Sequence, residues 1–409
     1  MPDTSDKFSL RCLMCGHAMP DADINRCPVC GGTLEIVYEL DRLRDEFEPQ
    51  GRGMWRAFDL LPVRDRAHIV SLGEGDTPLL LSASLGPAWG LPDLHFKLEG
   101  MCPTGSYKDR IAAVSMSRAR EVGKTAWAAT SSGNAGASLS AYGVRAGLAG
   151  HLFVLEKASR AKIAQILMYG PRLRAVQGLG VDRDVEIQTF ANVLDLCDRH
   201  NWMMMVTARK FSPFGMEGCK TIAYEICDQL GRAPDVVYVP VGGGGLLSSV
   251  WKGFQEWAAL GLTDGLPRLV AVQGEGCAPV VDAYAAGRDV EPIAACHGTV
   301  SGLQLAAPPD GQLALRAVRE SGGWAIAAPD PDTYRVHGEL AAREGLFVEP
   351  AAAIVAAAVE LDRAAGRLHG DETVVCLLTG IGFKVMDAVN RLTEAVEIPL
   401  IRADDILAL

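Results

Sequence analysis

The octapeptide PTGSYKDR, residues 103–110, sets Lys108 among small and charged residues, between the apolar run LHFKLEG and an alanine-rich helical pattern. An amine in that setting is either a solvated charge, the common state of lysine, or a nucleophile held at a strand end. Three other stretches follow apolar runs in the same way: AWAATS leads into SSGNAG, VVYVPV into GGGG, and VVCLLTG into IGFK. Gly242, Gly243, Gly244 and Gly245 open the helical pattern LLSSVWKGFQEW. Backbone amides converging there, with no side chain in the way, suit a phosphate. The run is neither GxGxxG nor a Walker loop with its lysine, which disfavours nicotinamide cofactors and ATP. A lysine at one strand end and a phosphate cradle at another fit a phosphorylated aldehyde joined to the amine as a Schiff base, which is the chemistry of pyridoxal phosphate.

A second constellation lies at the front of the chain. Cys12 and Cys15 in CLMC, and Cys27 and Cys30 in CPVC, are each followed by a glycine that lets the backbone turn under a cation. Two such knuckles complete a tetrahedron, and the spacing predicts a four-cysteine Zn2+ site on a short β-hairpin. Four thiolates leave no open coordination position, so the metal is expected to be structural. His17, beside the first knuckle, is expected to be an exposed loop residue. The remaining cysteines among the eleven in the chain are scattered and are expected to be reduced thiols.

The elements that carry these motifs alternate. From about residue 94 the strand candidates are LHFKLEG, AWAATS, HLFVLE, RLRAV, MMMVT, VVYVPVG, RLVAVQG, WAIAA and VVCLLTG, with helical patterns in the gaps. Alternation of this kind predicts an α/β protein with mostly parallel sheets covered on both faces, and ligand sites at the carboxyl ends of the strands. Ahead of it, LEIVYELDRLRDEF reads as a strand running into an amphipathic connecting helix. A chain of 409 residues calls for two or three units. The net charge of -11, with no basic block, argues against nucleic acid as a partner. The polar start MPDTSDKF and the lack of a long apolar run argue against secretion and membrane insertion, so a cytoplasmic location is expected.

EGMCPTGSYKDR, TSSGNAGASLSAYGVRAG, MEGCKTIAYEI, PVGGGG and LLTGIGFK, in that order and preceded by SLGEGDTPLL, resemble the threonine synthase branch of the tryptophan-synthase-β-like pyridoxal phosphate enzymes. The resemblance implies fold type II: two open, mostly parallel sheets flanked by helices, behind a small zinc ribbon. It implies a ribbon over 1–37, a larger cofactor-binding domain over 38–110 plus 208–409, and a smaller mobile domain over 111–207. Lys108 matches the cofactor-bearing lysine, Asn134 the asparagine at the phenolic oxygen, Gly242 to Gly245 the phosphate loop, and Thr379 the hydroxyl at the pyridine nitrogen. Ser131, Ser132 and Gly133 match the loop for the substrate carboxylate. A cationic neighbour would ease proton loss from Lys108; Arg110 is a candidate, unless it pairs with Asp109 or another carboxylate. Glu349 and Pro350, in FVEPAAA, match a family element and are assigned no chemistry. A small amino-acid substrate and a homodimer are implied.

The implied reaction turns O-phospho-L-homoserine and water into L-threonine and phosphate. Related ammonia-lyases and β-replacement enzymes, acting on threonine, serine or diaminopropionate or resembling cysteate synthase, are the alternative, and a non-catalytic relative is a third reading. The sequence departs from the pattern in TARKFSPFGMEGCKT, where Gly215 stands at the position of an arginine for the substrate phosphate. Arg209 and Lys210 are the candidate replacements. A second departure is SGLQLAAPPDG at 301–311, where relatives often carry an arginine.

Overall fold

The computed structural model describes residues 7–158, 160–180, 182–400 and 403. Residues 1–6 of the polar start, and Leu409, the expected end of the catalytic body, lie outside them. Thirteen strands are found among the described residues: β1 Ser9–Cys12, β2 Ala18–Pro20, β3 Leu34–Val37, β4 Leu79–Leu81, β5 Leu94–Leu98, β6 Ala126–Thr130, β7 Ala149–Leu155, β8 Arg172–Val176, β9 Met203–Met204, β10 Val236–Pro240, β11 Arg268–Gly274, β12 Trp324–Ala328 and β13 Val374–Leu378. They form an antiparallel ribbon sheet ordered β2-β1-β3, a six-stranded sheet ordered β12-β11-β10-β13-β5-β4, and a four-stranded sheet ordered β8-β7-β6-β9. The four-stranded sheet is parallel throughout, and the six-stranded one is parallel except for the edge strand β4.

Alternation within the central strands shows why both sheet faces need cover. Val237 and Val239 of β10, with Val375 and Leu377 of β13, join a core that includes the ribbon and the Gly245–Ala259 helix. Val236 and Tyr238, with Val374, Cys376 and Leu378, face the opposite core, where the Pro350–Ala364 helix supplies an alanine-rich surface. The four-stranded body has its own core around Trp127, Leu139, Tyr142 and Leu152. Gly143 and Gly150 lie so close to Trp127 that a Cβ on either would fall 2.3 Å from the indole.

The expected connecting helix is only one turn, Leu40–Leu43. Glu39 gives it no side-chain cap, and Phe47 leaves the helical path to meet the Trp257 ring edge-on at 5.8 Å. The expectation of reduced thiols also needs correction, because Cys277 and Cys296 form a disulfide. The 296–298 stretch folds back on 274–277, with His297 N–H donating to the Gly276 carbonyl at 2.8 Å, and brings the two cysteines together.

Beneath the lysine loop lies a group of buried charges. Arg110 donates to Glu99 and Glu225 at 2.6 to 2.8 Å, and Lys97, on β5, donates to Glu225 at 2.8 Å. Burial opposes ionisation of Glu225, but Arg110 and Lys97 prevail and hold its pKa well below the usual carboxylate range. Its contribution is therefore full above the ordinary value of 4.5 and is lost as pH falls toward the depressed folded value. Glu225→Gln is expected to cost roughly 3–5 kcal/mol at neutral pH. The difference from wild type should narrow below about pH 4, which urea unfolding at the two pH values measures.

Candidate active site

β10, β13 and β5 are neighbours in register, so Pro240, Leu378 and Leu98 end level at one edge of the sheet. Adjacent strands lie about 4.8 Å apart, which puts the glycine loop and the lysine loop about 10 Å from each other, with Thr379 between them. Past the strand ends the pairing continues. Tyr107 N–H donates to the Thr379 carbonyl at 3.1 Å, Ile381 N–H donates to the Gly105 carbonyl at 3.0 Å, and Ser106 bridges Gly380. Lys108 is the first residue of the helix that follows, Lys108–Glu121.

The Lys108 amine donates to the Thr207 hydroxyl at 3.0 Å and lies 4.5 Å from the centre of the Tyr107 ring. Thr207 comes from the loop after β9, so the amine spans from the six-stranded body to the four-stranded one. Asn134 opens the helix after β6 and donates through its amide to both oxygens of Glu349, at 3.2 and 3.0 Å. Ser131 Oγ accepts from Gly133 N–H at 3.3 Å and Gly136 N–H at 3.1 Å, fixing the turn that begins this helix. Ser132 is buried beside it.

These residues fit a phosphorylated aldehyde. Gly244 has φ +92° and caps the Gly245–Ala259 helix, whose amino-terminal amides face the strand-end edge. A Cβ on Gly244 would fall 2.5 Å from the Asp310 carbonyl, so the glycine also admits the neighbouring backbone. Asp310 N–H in turn donates to the Gly243 carbonyl at 2.8 Å, so SGLQLAAPPDG runs along the cradle. Ser106 Oγ, two residues before the lysine, is buried and has no hydrogen-bond partner among the described residues. A Cβ on Gly133 would meet no atom of the described residues within 4 Å, which leaves space among them at the proposed carboxylate loop.

The four ribbon sulfurs lie within 4.8 Å of one another, with Cys12 and Cys30 3.5 Å apart and Cys15 and Cys27 3.7 Å apart. Zn–S bonds of about 2.3 Å in a tetrahedron give edges of about 3.8 Å, so the donor set fits that ion. Gly16 and Gly31, at φ +72° and +70°, make the two knuckle turns, and His17 is exposed.

A family model described as pyridoxal-phosphate dependent enzyme matches residues 70–380. The chain is 36% identical to threonine synthase of Methanocaldococcus jannaschii over 393 residues, covering 94% of this chain and 95% of the relative. The chain belongs to the threonine synthase family of pyridoxal-phosphate dependent enzymes. Threonine synthase of Methanosarcina acetivorans is 34% identical over 380 residues, 91% of each chain. Among solved structures, the processed form of threonine deaminase isoform 2 from Solanum lycopersicum superposes with a TM-score of 0.65 at 20% identity, over 79% of this chain and 88% of that one. The shared fold is that of type II pyridoxal phosphate enzymes.

Three charges expected near the chemistry have other partners. Arg110 is fully buried on Glu99 and Glu225, and turns away from the Lys108 amine because consecutive helical residues point in different directions. Arg209 is 3% exposed, with its guanidinium on Glu217 at 2.8 Å and Ser249 at 3.1 Å, so it is not free to meet a substrate phosphate. Burial works against its charge, but Glu217 more than compensates and raises its pKa. Lys210 is exposed, its ammonium 5.8 Å from the Phe211 ring that Arg26 of the ribbon also approaches. Both backbone amides, of Arg209 and Lys210, are held by the buried Asp310 carboxylate at 2.6 and 3.0 Å. Sequence reasoning missed Thr207, which no motif marks, and gave no chemistry to Glu349, although FVEPAAA marked its place.

Gly215 faces the lysine helix. A Cβ there would fall 2.2 Å from Ser115 Oγ and 3.0 Å from Ser212 Oγ. An arginine restored at 215 would drive its first side-chain carbon into the lysine helix. Gly215→Arg is expected to lower stability by roughly 1–3 kcal/mol through overpacking and to leave the KM for a phosphorylated substrate no better. A stable variant with tightened KM would contradict this placement.

Proposed function

We propose that this chain converts O-phospho-L-homoserine and water to L-threonine and phosphate. One observation carries the reading: a chain whose lysine, Thr379 and glycine-loop segments leave one sheet at level strand ends is 36% identical to a threonine synthase over 94% of its length. When bound, the cofactor draws electrons from the bonds at the substrate α carbon. Lys108 Nζ would hold it and, once displaced, would take protons from the α and β carbons and return them at the γ and α carbons. The Gly242–Gly245 amides hold its phosphate, Asn134 its phenolic oxygen and Thr379 its pyridine nitrogen. A hydroxyl at that nitrogen places no full negative charge there, which favours loss of a leaving group over transamination. Ser131, Ser132 and Gly133 receive the substrate carboxylate.

The proposed division of labour gives residues 1–37 to the ribbon, 38–110 with 208–409 to cofactor binding, and 111–207 to a smaller body that moves. A homodimer in the cytoplasm is the proposed working state. Among the described residues no helix is long and apolar enough to cross a membrane. We also assign one Zn2+ to Cys12, Cys15, Cys27 and Cys30. Metal analysis of protein purified without chelator should return about one zinc per chain. Cys12→Ser should lower the thermal midpoint more than kcat.

The sealed Arg209 and the glycine at 215 favour a second reading: an ammonia-lyase or β-replacement enzyme whose substrate carries less charge beyond the β carbon. Phosphate release from O-phospho-L-homoserine, measured beside ammonia release from threonine, serine and diaminopropionate, separates the two. The expected result is phosphate release. Borohydride should bleach the visible absorbance and leave the cofactor mass on the peptide containing Lys108, and Lys108→Ala should abolish both that label and turnover.

A further inference from the structure

The threonine synthase reading requires a second dianion to be bound beyond the γ carbon, and a phosphate in a partly buried cleft needs a cation. Gly215 is packed against the lysine helix, Arg209 is spent on Glu217, and Lys210 lies over Phe211 beside Arg26. The same holds deeper in the protein. Lys97, Arg110, Lys220 and Lys252 each sit on a carboxylate.

Among the described residues, Lys384 is the exception at the cleft besides Lys108 itself. It lies in the single turn Gly382–Val385, directly after the 379–381 segment that pairs with the lysine loop. A Cβ on Gly105 would fall 3.0 Å from Lys384 Cε, so the side chain runs along the loop three residues ahead of Lys108. Its ammonium donates to a neutral partner, the Gln165 side-chain oxygen, at 2.5 Å. Gln165 belongs to the Arg160–Tyr169 helix of the other body, and its amide nitrogen donates to the Thr104 carbonyl at 3.2 Å and the Tyr169 hydroxyl at 3.3 Å. The carboxylates nearest in charge are Asp109 and Glu349. Asp109 already accepts from Thr104 N–H, Thr104 Oγ1 and Ser138 Oγ, each at 2.6 Å, and Glu349 accepts from Asn134. Burial is the main cause lowering the Lys384 pKa, and an incoming dianion would reverse that penalty.

We propose that Lys384, with Gln165, receives the distal phosphate of the substrate in place of the arginine that Gly215 replaces. This rests on the phosphohomoserine reading. Lysine binds phosphate as a point charge, and a Gln165 amide released from Thr104 and Tyr169 adds a donor from the opposite body. Because the contact is made before and during bond cleavage, its loss raises KM more than it lowers kcat.

The test uses holoenzyme of wild type, Lys384→Met, Lys384→Arg and Gln165→Glu, each checked for cofactor content by its visible spectrum. KM for O-phospho-L-homoserine should rise about 10- to 100-fold in Lys384→Met. Inhibition by inorganic phosphate should weaken by a similar factor, and Lys384→Arg should recover part of both. Gln165→Glu, which neutralises the ammonium where it stands, should reproduce the loss if Lys384→Met does not fold. Wild-type KM and phosphate inhibition in Lys384→Met or Gln165→Glu would overturn the proposal. A wild type that releases no phosphate from phosphohomoserine defeats the threonine synthase reading instead. Calorimetry with inorganic phosphate then decides the anion site by itself: binding lost in the variants sustains it, and binding that is absent in wild type or unchanged in the variants overturns it.

Discussion

A hydrogen-bonded seam between residues 105–107 and 379–381 sets the starting point of the Lys108 side chain, and the rest of the cleft is built around it. Gly380 sits where the seam is crossed. Ser106 bridges it from one side, and on the other Glu349 N–H donates to its carbonyl at 3.0 Å while Val348 bridges Ile381. A Cβ at 380 would fall 2.4 Å from Glu349 Oε1. Any side chain there would displace Glu349, and with it the Asn134 amide that Glu349 holds. Space, not backbone freedom, is what requires glycine at this point.

Successive residues at the head of the lysine helix tie it to both bodies. A helix turns about 100° per residue, so Lys108, Asp109 and Arg110 point in different directions. Lys108 reaches Thr207 across the cleft, Asp109 binds Ser138 on the Asn134 helix, and Arg110 goes down to Glu99 and Glu225 in the larger body. The buried charges balance, two cations (Lys97 and Arg110) against two anions (Glu99 and Glu225), and their atoms are well supplied with partners. Such a group adds little net stability over an apolar one of the same shape, but misplacing any member leaves a buried charge unpaired. It therefore acts chiefly to fix the rotation of the helix, and so the direction of the lysine.

What the sequence made legible was local. Apolar runs such as VVYVP and VVCLL announced buried parallel strands, two CxxC knuckles announced the ribbon, and GGGG ahead of an amphipathic helix announced an anion cradle. What it left hidden depended on distant partners. Asp109 is adjacent to Arg110 in sequence, but neighbours on a helix do not face each other, and Arg110 pairs instead with residues 11 and 115 positions away. Arg209 looked available until Ser249, 40 positions on, and Glu217 claimed it. Gln165 and Lys384 are separated by 219 positions, and only the facing of two sheets brings them together. The Cys277–Cys296 disulfide likewise depends on how its loop folds back.

Gly215 ties the missing arginine to the position of the ribbon. Without a side chain, the Pro213–Met216 turn packs directly on Ser115 and Ile111 of the lysine helix, and Phe214 is directed toward the ribbon. There it meets Phe8 edge-on at 6.4 Å and lies under Arg118, which also binds Asp21 of the ribbon at 2.7 and 2.9 Å. Lys252 adds a bond to the Ile36 carbonyl of β3 at 2.6 Å while it holds Glu217. The turn that would otherwise present a cation to the substrate is thus committed to joining three elements: ribbon, lysine helix and Gly245–Ala259 helix. An arginine at 215 and this packing exclude each other on steric grounds, so a chain that keeps the packing must find its phosphate counter-charge on another loop.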